Sequence, residues 1–148
     1  MRQAKDQSNA VRALHICQTG FNRGRSAAAF LSAHEGIRLT SFDLGKHQYV
    51  GKASAFIDQH FPNRHRLILG NSVYTIPAAL KRGQAGSCGF IFVDGGHDYS
   101  NAQQDIFQFA FLAMPQAPLL VDDCPGQEMV HLAYVDACSQ GIVSCSRG

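Results

Sequence analysis

Short apolar runs alternate along the chain with segments whose apolar residues recur at helical spacing. Ala13–Cys17 (ALHIC) is an apolar run that ends in a glycine-bearing turn. Ser26–His34 (SAAAFLSAH) is alanine-rich and helix-prone, and Gly36 follows as its stop. Arg38–Leu44 (RLTSFDL) predicts a second strand. Within Tyr49–His60, Val50, Ala53, Phe56 and Ile57 share one helical face, and Phe61-Pro62 ends the segment. Arg66–Leu69 (RLIL) predicts a third strand, closed by Gly70-Asn71. Pro77–Lys81 predicts a short helix with Pro77 in its first turn. Gly89–Val93 (GFIFV) is apolar throughout, as suits a strand buried on both faces of a sheet. Asn101–Ala113 carries Ala102, Ile106, Phe109, Ala110 and Leu112 on a broad apolar face. Pro118–Val121 (PLLV) predicts a fifth strand and Gln127–Cys138 a last helix. Gly141–Val143 predicts the start of a sixth strand.

A strand–helix alternation with short connections predicts an α/β fold: a mostly parallel sheet with helices on both faces, three layers in all. Ligands of such sheets bind beyond the carboxyl ends of the strands. Polar and glycine residues gather at those ends here: Gln18 to Gly24, Asp43, Gly70 to Ser72, Asp94 to His97, and Asp122-Asp123. Their convergence on one sheet edge is the main functional signal.

Composition narrows the picture. The 148 residues suggest one domain, residues 11–148, after a flexible polar leader at 1–10. A hydrophobic fraction of 45% against 16% charged excludes a disordered chain. The net charge of +2 gives no argument for a nucleic-acid partner, and Arg64, Arg66 and Lys81 read as a solvated face. No segment reaches the roughly 18 apolar residues of a membrane span, so a cytoplasmic location is the expectation. Of the five cysteines none forms a C-x-x-C pair. That pattern predicts free thiols in a reducing compartment, not a disulfide framework or a zinc site.

Each cluster has a chemical and a plain structural reading. Gly20 and Gly24 frame a G-x-x-x-G turn between strand and helix, where the backbone can approach a ligand and free helix N–H groups face it. The spacing is neither that of dinucleotide binders nor that of a phosphate-binding loop. Asp43 follows about 20 residues later, where a carboxylate can accept hydrogen bonds from a ribose diol; it can also serve as a cap. Asn71 and Ser72 can line an adenine edge or cap the next helix. Asp94-Gly95-Gly96-His97-Asp98-Tyr99 brings a carboxylate out of a buried strand beside a histidine able to act as general base, with Asp98 as the next helix cap. Asp122 and Asp123 either face Asp94 in an oxygen-rich Mg²⁺ site or lie solvated in a loop.

The strings ICQTGFNRGRSAAAFL, SFDLG, LILGNS, FIFVDGGHDY and LLVDD resemble the class I S-adenosylmethionine-dependent methyltransferases. The likeness is strongest to small-molecule O-methyltransferase-like domains with an Asp-Gly-x-His-x-Tyr motif after the fourth strand, and it covers residues 13 to 143. It implies a Rossmann-like sheet of seven strands and S-adenosylmethionine as cofactor. Gln18, Gly20, Asn22 and Gly24 would pack against the cofactor's methionine part. Asp43, with Leu44 beside it, would hold the ribose; Asn71 and Ser72 would lie along the adenine. Asp94 would sit near the sulfonium and substrate, and Gly95 would also bind the cofactor. The implied chemistry is in-line methyl transfer to a small-molecule acceptor, with His97, or Mg²⁺ on Asp94, Asp122 and Asp123, lowering the pKa of an acceptor hydroxyl. The sequence departs from the family in having Gln18 where an acidic residue is usual. It also lacks the final antiparallel hairpin. Three alternatives follow: a truncated product, a homodimer completing its sheet in trans, or a non-catalytic relative that works by binding.

Overall fold

The computed structural model describes residues 14–145. The expected leader at 1–10, and Ala13 at the head of the first expected strand, lie outside them. Five parallel strands stand in the order β3-β2-β1-β4-β5. They are β1 (His15–Thr19), β2 (Arg38–Asp43), β3 (His65–Leu69), β4 (Phe90–Val93) and β5 (Leu119–Val121). Between and after them run α1 (Arg25–Ala33), α2 (Tyr49–His60), α3 (Ser72–Lys81), α4 (Tyr99–Leu112) and α5 (Glu128–Ser139). The chain winds outward from β1 to β3, then returns to β4 on the other side of β1. The carboxyl ends of β1 and β4 therefore part at the sheet's switch point, where a crevice opens.

One core fills the space under α1 and α2, with Ile16, Phe21, Leu31, Leu39, Val50 and Ile57 buried. The other lies under α3, α4 and α5 and includes Phe42, Ile76, Ile91, Ile106 and Phe109. Phe42 and Phe109 meet edge to face there, with centroids 5.9 Å apart. The three-layer α/β/α architecture expected from the sequence is the one observed.

Four local expectations differ. The first strand runs to Thr19, so Gln18 is inside the sheet and not in the turn. It pairs in register with Ser41 and donates its amide to the Ser41 hydroxyl at 2.9 Å. That hydroxyl meets His65 Nε2 at 3.1 Å, and Asp58 holds His65 Nδ1 at 3.3 Å. Burial lowers the His65 pKa against the pull of Asp58, and Gln18 keeps the buried end of this chain uncharged, where a carboxylate would be costly.

Pro77 is not in the first turn of its helix: α3 begins five residues earlier, at Ser72. Pro77 has no N–H for the Val73 carbonyl. The side-chain amide of Gln108, from α4, supplies the missing donor at 2.9 Å. Gly141–Val143 forms no strand. Gly141, at φ 70°, and Ile142 donate to the carbonyls of Cys138 and Ala137 and close α5.

The cysteines are paired, contrary to the expectation of free thiols. Cys17 is joined to Cys88 and Cys138 to Cys145, leaving Cys124 free. The sequence hid the first pair because 71 residues separate its members; they meet because β1 and β4 are neighbours.

Candidate functional site

The site begins where β1 turns into α1. Gly20 at φ 80° donates its N–H to the Phe42 carbonyl at 2.9 Å, carrying the sheet ladder past the strand end. A Cβ at this position would overlap the carbonyl oxygen of Asp94, so the close approach of the β1 loop to Asp94 requires a glycine here. Asn22 follows at φ 49°. Its N–H donates to one oxygen of Asp43 at 2.9 Å, and the Gly45 N–H donates to the other at 2.8 Å. The Asp43 carboxylate is thereby fixed, with lone pairs left on both oxygens. Gly24 opens α1 with no side-chain cap, which leaves the first N–H groups of that helix free to face a ligand.

Asn71 caps α3, accepting from the Val73 N–H at 3.0 Å, and Asp98 caps α4, accepting from the Asn101 N–H at 3.0 Å. The capping readings hold for both. The Asn71 amide nitrogen remains available to the crevice.

A cavity of about 370 Å³ occupies the crevice, a size suited to a small ligand. Asp43, Leu44, Asn71, Ser72 and Gly95 line it, together with Thr19 and Asp105. Asp105 was not anticipated. It stands on α4 with 2% exposure, and burial pushes its carboxyl up to about 6 against the pull of the Ser72 and Thr19 hydroxyls. Its Oδ1 and the Thr19 hydroxyl are buried without a full hydrogen bond. The signal was present in the sequence: Asp105 interrupts the apolar stripe of Ala102, Ile106 and Phe109. Lys46 and His47, from the β2 loop, also reach this cavity.

A second opening of about 510 Å³ lies across the Gly20–Asp94 contact. Gly20, Asn22, Arg23, Ser26, Asp94 and Asp122 are among its walls. No sequence pattern singles out Arg23 or Ser26. Gln18 and Gly24 line neither opening: Gln18 is 0% exposed on the α1 side of the sheet, and Gly24 sits against Phe21 and Ile57.

An acidic rim completes the edge. Burial, then the neighbouring charges of Asp122 and Asp123, push Asp94 up to about 7, with His97 acting the other way. His97 Nε2 pairs with Asp123 at 3.0 Å. Ligand atoms of Asp94, His97 and Asp123 lie within 4.8 Å of one another. Crowded carboxylates of this kind suit a hard divalent cation, and His97 joins the set that the sequence drew from aspartates alone.

Comparison with known proteins fits this layout. The profile of a family described as a methyltransferase domain matches residues 17–124. No curated protein matches the chain. Among solved structures, a candidate caffeoyl-CoA O-methyltransferase from Staphylococcus aureus is 23% identical with a TM-score of 0.61, over 90% of this chain and 57% of that one. MycE, a methyltransferase of mycinamycin biosynthesis solved with Mg and SAH, is 14% identical with a TM-score of 0.61, over 90% of this chain and 38% of its own. NcsB1, an O-methyltransferase of neocarzinostatin biosynthesis solved with S-adenosylmethionine and a naphthoic acid, is 21% identical with a TM-score of 0.55, over 82% and 37%. The chain thus spans less than two thirds of each neighbour, and at these identities the likeness is one of fold. With the family profile running from β1 through the fifth-strand carboxylates, the chain belongs to the class I S-adenosylmethionine-dependent methyltransferase family.

Proposed function

We propose that this chain binds S-adenosylmethionine and transfers its methyl group to an oxygen of a small-molecule acceptor. The observation that carries the reading is Asp43, a carboxylate oriented by two backbone N–H groups on the wall of a cavity of about 370 Å³. It matches a ribose diol, which needs two acceptors held side by side. The orphaned Thr19 and Asp105 oxygens support a polar ligand in the same cavity.

In this reading Asn71, Ser72 and Gly95 flank the adenine. Gly20 and Asn22 lie along the methionine part, whose carboxylate meets Arg23, Ser26 and the open end of α1. Gln18 and Gly24 act behind the wall: one holds β1 to β2 and the other lets the turn close. The bound cofactor supplies an electrophilic methyl carbon. The protein's part is to align an acceptor oxygen at the Asp94 edge for in-line attack and to keep water away. His97 takes the acceptor's proton. Asp94 and Asp123, with Asp122 beside them, would hold a Mg²⁺ ion, whose charge would lower the hydroxyl pKa. NcsB1, an O-methyltransferase solved with a hydroxylated aromatic acid, supports an oxygen acceptor, and MycE, solved with Mg, supports a metal beside the cofactor. No helix among the described residues is long and apolar enough to cross a membrane.

Calorimetric titration with S-adenosylmethionine and S-adenosylhomocysteine, with NAD as control, tests the reading. Saturable binding of the first two, abolished in Asp43→Ala, is expected. A folded protein that binds neither overturns it. Such a result would favour a non-catalytic domain, the alternative that the uncharged Gln18 supports.

A further inference from the structure

A second group of ligating atoms lies at the opposite end of the sheet from the crevice. His15, Cys17 and Cys88 bring one imidazole nitrogen and two sulfurs within 4.8 Å of one another. Cys17 and Cys88 are both 0% exposed. Nothing in the methyl-transfer reading uses them.

The histidine is already set up as a ligand. Its Nδ1 faces the Ser87 carbonyl at 3.3 Å. A carbonyl only accepts, so Nδ1 carries the proton and Nε2 keeps its lone pair. That nitrogen points at the Thr40 hydroxyl, 2.9 Å away, and at Cys17 Sγ, 3.9 Å away. An N–H to carbonyl contact behind the coordinating nitrogen is the usual support of a metal-binding histidine. A cavity of about 400 Å³ opens onto His15 and Thr40, with Arg38, Arg66 and Gln84 among its other walls.

The geometry points to a thiophilic divalent metal site, of the zinc class, formed by His15 Nε2 and the sulfurs of Cys17 and Cys88 when their disulfide is reduced. Three protein ligands and a water give the four-coordinate shell that zinc prefers. The chemistry balances with a small dithiol as reductant. It gives two electrons and two protons to the Cys17–Cys88 bond and leaves as its own disulfide. The two thiols then lose their protons to solvent as the ion binds. Disulfide and metal would serve one mechanical purpose, tying β1 to the segment that enters β4. Mixed sulfur and imidazole donors select against the hard Mg²⁺ suited to the Asp94 rim, so the two sites are chemically distinct.

The test is cobalt substitution in the full chain carrying Cys124→Ser, Cys138→Ser and Cys145→Ser, which leaves only Cys17 and Cys88. After reduction by a phosphine, one equivalent of Co²⁺ should give thiolate-to-cobalt charge-transfer bands and the intense visible bands of a tetrahedral centre. Zn²⁺ should displace it. The bands should be missing from the oxidised protein and from His15→Ala, whose fold is checked by circular dichroism. Their absence from the reduced protein, or their survival in His15→Ala, overturns the proposal. If His15→Ala does not fold, zinc-edge absorption on the otherwise unaltered reduced protein decides. Two sulfurs with one imidazole in the shell is the expected result; an oxygen-only or all-sulfur shell overturns it.

Discussion

Asp94 sits in a crowd of like charges, and its pKa makes that crowding measurable. Its folded value of about 7 lies above the ordinary 3.8. The folded state therefore holds a proton that the unfolded state has lost between about pH 4 and 7. Stability should fall as pH rises through that window and level off above it. Asp94→Asn removes the penalty: by urea unfolding it should be more stable than the parent at pH 8, with the gap closing toward pH 4. A gap that is constant with pH would contradict an origin in burial and charge crowding. Mg²⁺ should narrow the gap at pH 8 by stabilising the parent alone. At Gly20 the constraint is steric. The φ of 80° and the Asp94 carbonyl leave no room for a methyl group, so Gly20→Ala should cost about 2 kcal/mol or more in chemical denaturation. The residue types at both positions were plain in the sequence. The pKa of Asp94 was not, because it depends on Asp122 and Asp123 arriving from another strand.

At the scale of elements, α3 shows how one helix can repair another. Pro77 orphans the Val73 carbonyl, and Gln108 of α4 supplies the donor. Gln108→Ala should destabilise the protein by about 1–3 kcal/mol, the cost of leaving a sheltered acceptor unpaired. In a Pro77→Ala background the same change should cost less, because alanine brings back the main-chain N–H. A double-mutant cycle by urea unfolding measures the difference, and strict additivity would refute the link. A helix beginning at Ser72 was legible in part: Asn71 is a good capping residue. Proline in the sixth position hid it, since the compensating amide is 35 residues away from the carbonyl it serves. Gly141–Val143 misled for the opposite reason. Its apolar residues are local evidence for a strand, yet Ile142 and Val143 pack onto the α3–α4–α5 core while the backbone closes a helix.

For the whole molecule, the consequence is linkage between ligand and fold. The crevice is walled by loops from β1, β2, β3 and β4, so a ligand filling it opposes unfolding of the entire sheet. S-adenosylhomocysteine at 100 times its dissociation constant should add about 2.7 kcal/mol of stability. Calorimetric melting of the parent should show the shift and Asp43→Ala should not. A shift that persists in the variant would mean that the ligand sits elsewhere.

The sequence by itself determined the alternation of strands and helices, the parallel sheet, and the set of polar clusters at the strand ends. Those are consequences of local periodicity and of the rule that parallel crossovers place every strand end on the same edge. Tertiary structure alone decided which cluster members face the crevice. Gln18 and Thr19 are chain neighbours, yet a strand alternates its faces, so one closes a buried network under α1 and the other lines the cavity with Asp105. It also decided the partners: Cys17 with Cys88, His97 with Asp123, Gln108 with Val73. Each pair is far apart along the chain, and only the strand order, set by how the whole core packs, brings its members within bonding distance.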